Sequence, residues 1–165
     1  MFKTGQKVSY STTGICVIDG IIKMGATGKE KEYYVLKPLY QKGAKVYVPV
    51  ENEELVAKIR PAIEKAEIEE IIERAKEEPL KWIDDDEKRT ELFKEMLHSG
   101  SPLALIRLIG CIYLKQQELT SNRHRLRNSD ANILSTAENL LYNEFAFCLD
   151  TQPEEVIPFI KSRME

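Results

Sequence analysis

Gly14-Ile15-Cys16-Val17-Ile18-Asp19-Gly20-Ile21-Ile22, then Gly25-Ala26-Thr27-Gly28-Lys29, then Glu32-Tyr33-Tyr34-Val35-Leu36, has the pattern of a β-hairpin. Two runs rich in β-branched and aromatic residues flank a turn with two glycines free to take positive φ. Toward the N-terminus, Val8-Ser9-Tyr10 starts an earlier strand. Toward the C-terminus, Lys45-Val46-Tyr47-Val48-Pro49 reads as a last one. Pro49 has no N–H to donate, so that strand end belongs at a sheet edge or exit. Six of the eight glycines fall between Gly5 and Gly43. Four or five short strands with early glycines predict a small SH3-like or Tudor-like β-barrel.

Beyond Arg60-Pro61 the hydrophobic period changes from that of strands to that of helices, and all eight arginines lie at or beyond Arg60. Ile63, Ala66, Ile71 and Ala75 recur at helical spacing until Glu77-Glu78-Pro79 ends the helix. A second helix is expected from Asp84 to His98, closed by Ser99-Gly100. Ser101 caps a third, with Pro102 at its first position and apolar residues from Leu103 to Leu114 that place it in the core. After a polar loop, Ser129 or Asp130 caps a fourth helix, which contains Leu134, Ala137, Leu140, Leu141, Phe145 and Leu149. Thr151-Gln152-Pro153-Glu154 opens a short last one. The expectation is an α+β chain of two domains. A β-barrel occupies 1–55, and a compact all-α domain of about five helices occupies 56–165.

Hydrophobic content of 42% and charged content of 31% describe a globular chain. No apolar run reaches the roughly 18 residues that span a bilayer, and the start lacks a signal-peptide pattern, so a cytoplasmic protein is expected. Cys16, Cys111 and Cys148 are far apart and odd in number, which argues against disulfides and zinc. Residues 1–55 carry a net charge of +2 and the remainder −5, so neither part is a general nucleic-acid magnet. The only histidines, His98 and His124, have no metal-ligand companions, and no nucleophile elbow, P-loop or dinucleotide fingerprint is present. No catalytic residue, metal, cofactor, small-molecule substrate or membrane is assigned. A β-module tethered to a helical domain suggests an adaptor between two macromolecules.

Two segments are candidates for contact. Trp82, the only tryptophan, follows Pro79 and precedes Asp84-Asp85-Asp86-Glu87. It reads either as a core residue at a helix junction or as an exposed indole ready to wedge against a partner. The carboxylates after it suit a helix N-terminus, where they cap free N–H groups. Asn122-Arg123-His124-Arg125-Leu126-Arg127-Asn128 is the one dense basic segment. It reads as a solvated loop or as a set of phosphate contacts through Arg123, Arg125 and Arg127.

Phe2-Lys3-x-Gly5, Tyr10, Gly14, Tyr33-Tyr34-Val35-Leu36 and Val46-Tyr47-Val48-Pro49-Val50-Glu51-Asn52 resemble the RNA-polymerase-interacting domain shared by CarD/CdnL regulators and the transcription-repair coupling factor. The helical part, with Trp82, Arg89, Ser99-Gly100, Arg107 and Ala137-Glu138-Asn139-Leu140-Leu141, is similar to the C-terminal domain of CarD/CdnL proteins. The resemblance implies a bacterial transcription regulator whose β-module docks on the RNA polymerase β subunit, here through Lys23, Lys45, Val46, Tyr47 and Pro49. It implies that the helical domain reaches upstream promoter DNA through Trp82, Lys88, Arg89 and the basic loop. Trp82 then wedges at the edge of the melted region and stabilises the open complex, which favours an outward-held, non-core indole. Many members carry basic residues directly after the tryptophan; here Ile83-Asp84-Asp85-Asp86-Glu87 intervenes. The competing readings are a polymerase-binding adaptor without DNA contact and a hydrolase using carboxylates not yet located.

Overall fold

The hairpin is the centre of an antiparallel sheet. In this computed structural model, which describes residues 1–164, β1 spans Lys7–Tyr10, β2 Gly14–Met24 and β3 Lys31–Pro38. β2 pairs with β3 from Cys16 opposite Pro38 to Met24 opposite Lys31. The turn requires Gly25: its φ is +131°, and a Cβ there would stand 2.9 Å from the Lys29 carbonyl oxygen. The register shifts between Ile18 and Gly20, so Asp19 is the extra residue of a β-bulge. The two edges are β4 (Val46–Pro49), which pairs with β3, and β5 (Ile59–Pro61), which pairs with β1.

The strand order is β4-β3-β2-β1-β5, and β4 does not pair with β5. The expected barrel is therefore an open five-stranded sheet. Closure needs both edge strands to pair at a fixed stagger, and these two are four and three residues long. One face of the sheet carries the core: Val8, Cys16, Ile18, Tyr34, Leu36, Val48 and Ile59. The Phe2 ring meets Tyr34 edge-on, with centroids 5.6 Å apart.

The chain divides into two units after Ala62, not at 55/56. The reason is local. Asn52 caps a one-turn helix, α1 (Glu53–Val56), by accepting the Leu55 N–H at 3.1 Å. Ile59 then enters the sheet core, and the Ala62 N–H donates to the Lys7 carbonyl at 3.1 Å.

From Ile63 onward the unit is helical: α2 (Lys65–Glu77), α3 (Asp86–Ser99), α4 (Pro102–Ser121), α5 (Asn128–Leu149) and α6 (Pro153–Met164). α2 buries Ile68, Ile72 and Ala75, while Ala66 faces solvent. Of the expected residues Ala75 is buried and Ile63 and Ile71 pack against the core, so only Ala66 departs from the inward face. Gly100 ends α3 in the left-handed region, with φ of 65°. The Ser101 hydroxyl then accepts the Ala104 N–H at 3.4 Å to start α4 behind Pro102. α4 is the central helix, burying Leu105, Ile106, Leu108, Cys111 and Ile112 against Phe93, Ile133, Ala137, Leu141 and Phe145. α5 is not capped by Ser129 or Asp130: Arg127 takes the cap position, and Asp130 lies buried in the first turn. Among the described residues no helix is long and apolar enough to cross a membrane.

Candidate functional site

The first candidate surface is the β4 edge. Its outer side is unpaired among the described residues, so its backbone can accept a further strand. Cross-strand partners share a face, which divides the expected polymerase residues. Val46 lies opposite Leu36 and packs against the core cluster. Tyr47, opposite Val35, and Pro49, opposite Tyr33, point to the other face. Tyr47 is 43% exposed. Lys45 precedes the strand and is exposed, as is Lys23, which pairs with Glu32 far along the hairpin arm. Sequence reading missed the neighbours of Tyr47 and Pro49. Ile22 lies opposite Tyr33 on the same face, and Ile22 and Met24 remain exposed on the arm. Their signal was present: in a strand, alternate apolar residues beyond the length of the core have nothing of their own chain to cover them.

The second surface surrounds Trp82, where two expectations are corrected. Trp82 is partly buried and packs on the helical core, so it is not the outward-held, non-core indole expected. Phe93 meets it edge-on with centroids 5.9 Å apart. The Arg89 guanidinium lies 4.3 Å from the ring centroid, and the Lys115 ammonium 5.5 Å. Arg89 itself is 2% exposed and ion-paired with Asp130, itself 1% exposed. A guanidinium enclosed in this way is out of reach of a phosphate, so Arg89 is not a DNA contact.

The acidic run has work within the chain. Asp85 caps α3, accepting the Lys88 N–H at 3.0 Å. Asp86 binds Arg89 Nη2 and Arg127 Nη1, each at 2.7 Å. Arg89, then Arg127, holds the Asp86 carboxyl below the usual carboxylate range. Asp86 thereby ties the end of the basic loop to Arg89, the residue over the Trp82 ring, although the two are far apart in sequence. In the loop Leu126 packs on the core while Arg123, Arg125 and Arg127 are exposed. The Lys88 side chain is also exposed. Asp130 as the partner of Arg89 was missed. Nothing in its local sequence distinguishes it from a helix-capping carboxylate, the role first expected of it.

Residues 2–63 match the family model described as the CarD-like/TRCF RID domain. The matched segment and the first structural unit coincide to within a residue at each end. The sheet with its open β4 edge is thus a domain of a class that points to an RNA-polymerase-interacting transcription factor. The N-terminal unit is thus a CarD-like/TRCF RID domain.

Proposed function

We propose that the chain is a bacterial transcription regulator that binds the β subunit of RNA polymerase through the β4 edge and stabilises the open promoter complex, with Trp82 at the upstream edge of the bubble. The observation that carries the polymerase half is the unpaired edge strand in a domain of this family. Backbone pairing supplies affinity there, and Tyr47 and Pro49 supply specificity. The DNA half is supported by an indole that keeps part of its surface free, in the same unit as the exposed side chains of Lys88, Arg123 and Arg125. A flat, rigid ring can replace a lost stacking partner where a base step is opened.

A second reading, an adaptor that binds polymerase without touching DNA, is favoured by one observation: Asp86 already occupies Arg127. Open-complex lifetime at a ribosomal RNA promoter, with and without the protein, tests the proposal. The protein should lengthen it. Tyr47→Ala should lower the affinity for polymerase, and Trp82→Ala should shorten the lifetime at saturating protein without changing that affinity. An unchanged lifetime with intact polymerase binding establishes the adaptor reading instead.

A further inference from the structure

Residues 78–85 join α2 to α3 without regular structure. Among the described residues, none of 79–84 makes a backbone–backbone hydrogen bond. A linker of that kind has no backbone reason to hold an indole in one orientation. Arg89 supplies a side-chain reason. Its Nε donates to Asp130 Oδ1 at 3.2 Å and its Nη2 to Asp130 Oδ2 at 2.9 Å. Nη2 also donates to Asp86 Oδ1 at 2.7 Å. Nη1 donates to the carbonyls of Ile83 at 2.9 Å and Asp84 at 3.4 Å, the two residues directly after Trp82. These bonds use every N–H donor of a guanidinium, and the group lies over the Trp82 ring.

We infer that Arg89 and Asp130 are positioning residues for Trp82: Asp130 on α5 sets the plane of the guanidinium, and the guanidinium sets the indole orientation and the path of the linker behind it. An ion pair serving only to join α3 to α5 needs neither the linker carbonyls nor the ring. A buried pair is also a poor source of net stability, because desolvation offsets the attraction. A planar fork held in parallel by a carboxylate is, by contrast, well suited to fixing direction. The use of this orientation at a promoter rests on the wedge reading above; the orientation itself does not.

Trp82 is the only tryptophan, so indole signals of the full chain report this site alone. Arg89→Lys keeps the charge and loses the fork; Asp130→Asn keeps one acceptor and loses the charge. Both variants should lose the near-ultraviolet circular dichroism band of the indole. Both should show acrylamide quenching shifted toward that of free tryptophan, with the far-ultraviolet helical signal retained. Asp130→Glu, which restores a forked acceptor, should recover part of the lost band. In the unmodified protein, the Arg89 Nε–H resonance should be shifted upfield by the ring and exchange slowly with solvent, a measurement that needs no variant to fold. Unchanged indole signals in the folded variants, or an unshifted Nε–H resonance, would overturn the inference. Altered indole signals with an unaltered open-complex lifetime would uphold the positioning role and remove the wedge reading instead.

Discussion

Trp82 shows how one residue can be both packed and presented. Its edge contact with Phe93 and the covering guanidinium make it part of the helical core, and the rest of the ring remains accessible. Trp82→Ala is therefore expected to lower unfolding free energy by roughly 2 kcal/mol, about half the cost of truncating a fully enclosed aromatic. Urea denaturation checks this, and a loss near zero contradicts the packing described. Cys16 supports a second expectation. Its enclosed thiol is pushed up to about 12 by burial, from an ordinary value of 9.0. The unfolded chain releases that proton first. The contribution is thus fully present below the ordinary thiol value and is lost as pH rises from there toward about 12. The urea midpoint of the wild type should fall across that window more steeply than that of Cys16→Ala.

At the scale of elements, the linker from α2 to α3 and the loop from α4 to α5 meet at a single carboxylate. Asp86 holds Arg127, whereas Arg123 and Arg125 stand exposed on the N-terminal side of the Leu126 anchor. An exposed pair of this kind is worth little on its own, because solvent screens it. It still competes with a phosphate for the same donor. Changing Arg123 and Arg125 to Glu should reduce the salt dependence of promoter engagement by roughly one unit of slope per lost contact. Arg127→Glu alone should reduce it less, because part of the binding gain of Arg127 is spent in releasing Asp86. Equal effects of all three changes, measured by salt titration of the polymerase–promoter complex, contradict that ordering. Asp86→Asn should act in the opposite sense and steepen the dependence.

For the whole molecule, each unit has its own hydrophobic core, one behind the sheet and one around α4. Residues 1–62 should fold alone and bind the polymerase β subunit, with marginal stability because so short a chain buries a small core. Residues 63–165 alone should fold without binding that subunit. Thermal melting of each part, with a pull-down on the isolated β subunit, tests this division of roles. Binding by the helical part and not by the sheet reverses it.

Local chemistry determined a large share of this protein before any contact across the chain is considered. The Gly25–Gly28 turn between β-branched runs dictates the hairpin, and Pro49 marks an edge strand. Gly100 followed by Ser101-Pro102 dictates where α3 stops and α4 starts. Each of these rests on dihedral preferences or hydrogen bonds within a few residues, so each is readable from neighbours alone. What lay beyond reach depends on partners distant in sequence. Ile59–Pro61 becomes a strand only because β1 offers an edge to it, and the sheet stays open because β4 and β5 do not meet. Arg89 and Asp130 look like a surface base and a helix cap until tertiary packing removes both from water. Burial then makes an unpaired charge too costly to keep, so the two must find each other. That pairing, invisible in either local sequence, withdraws Arg89 from solvent and sets it against the face of Trp82.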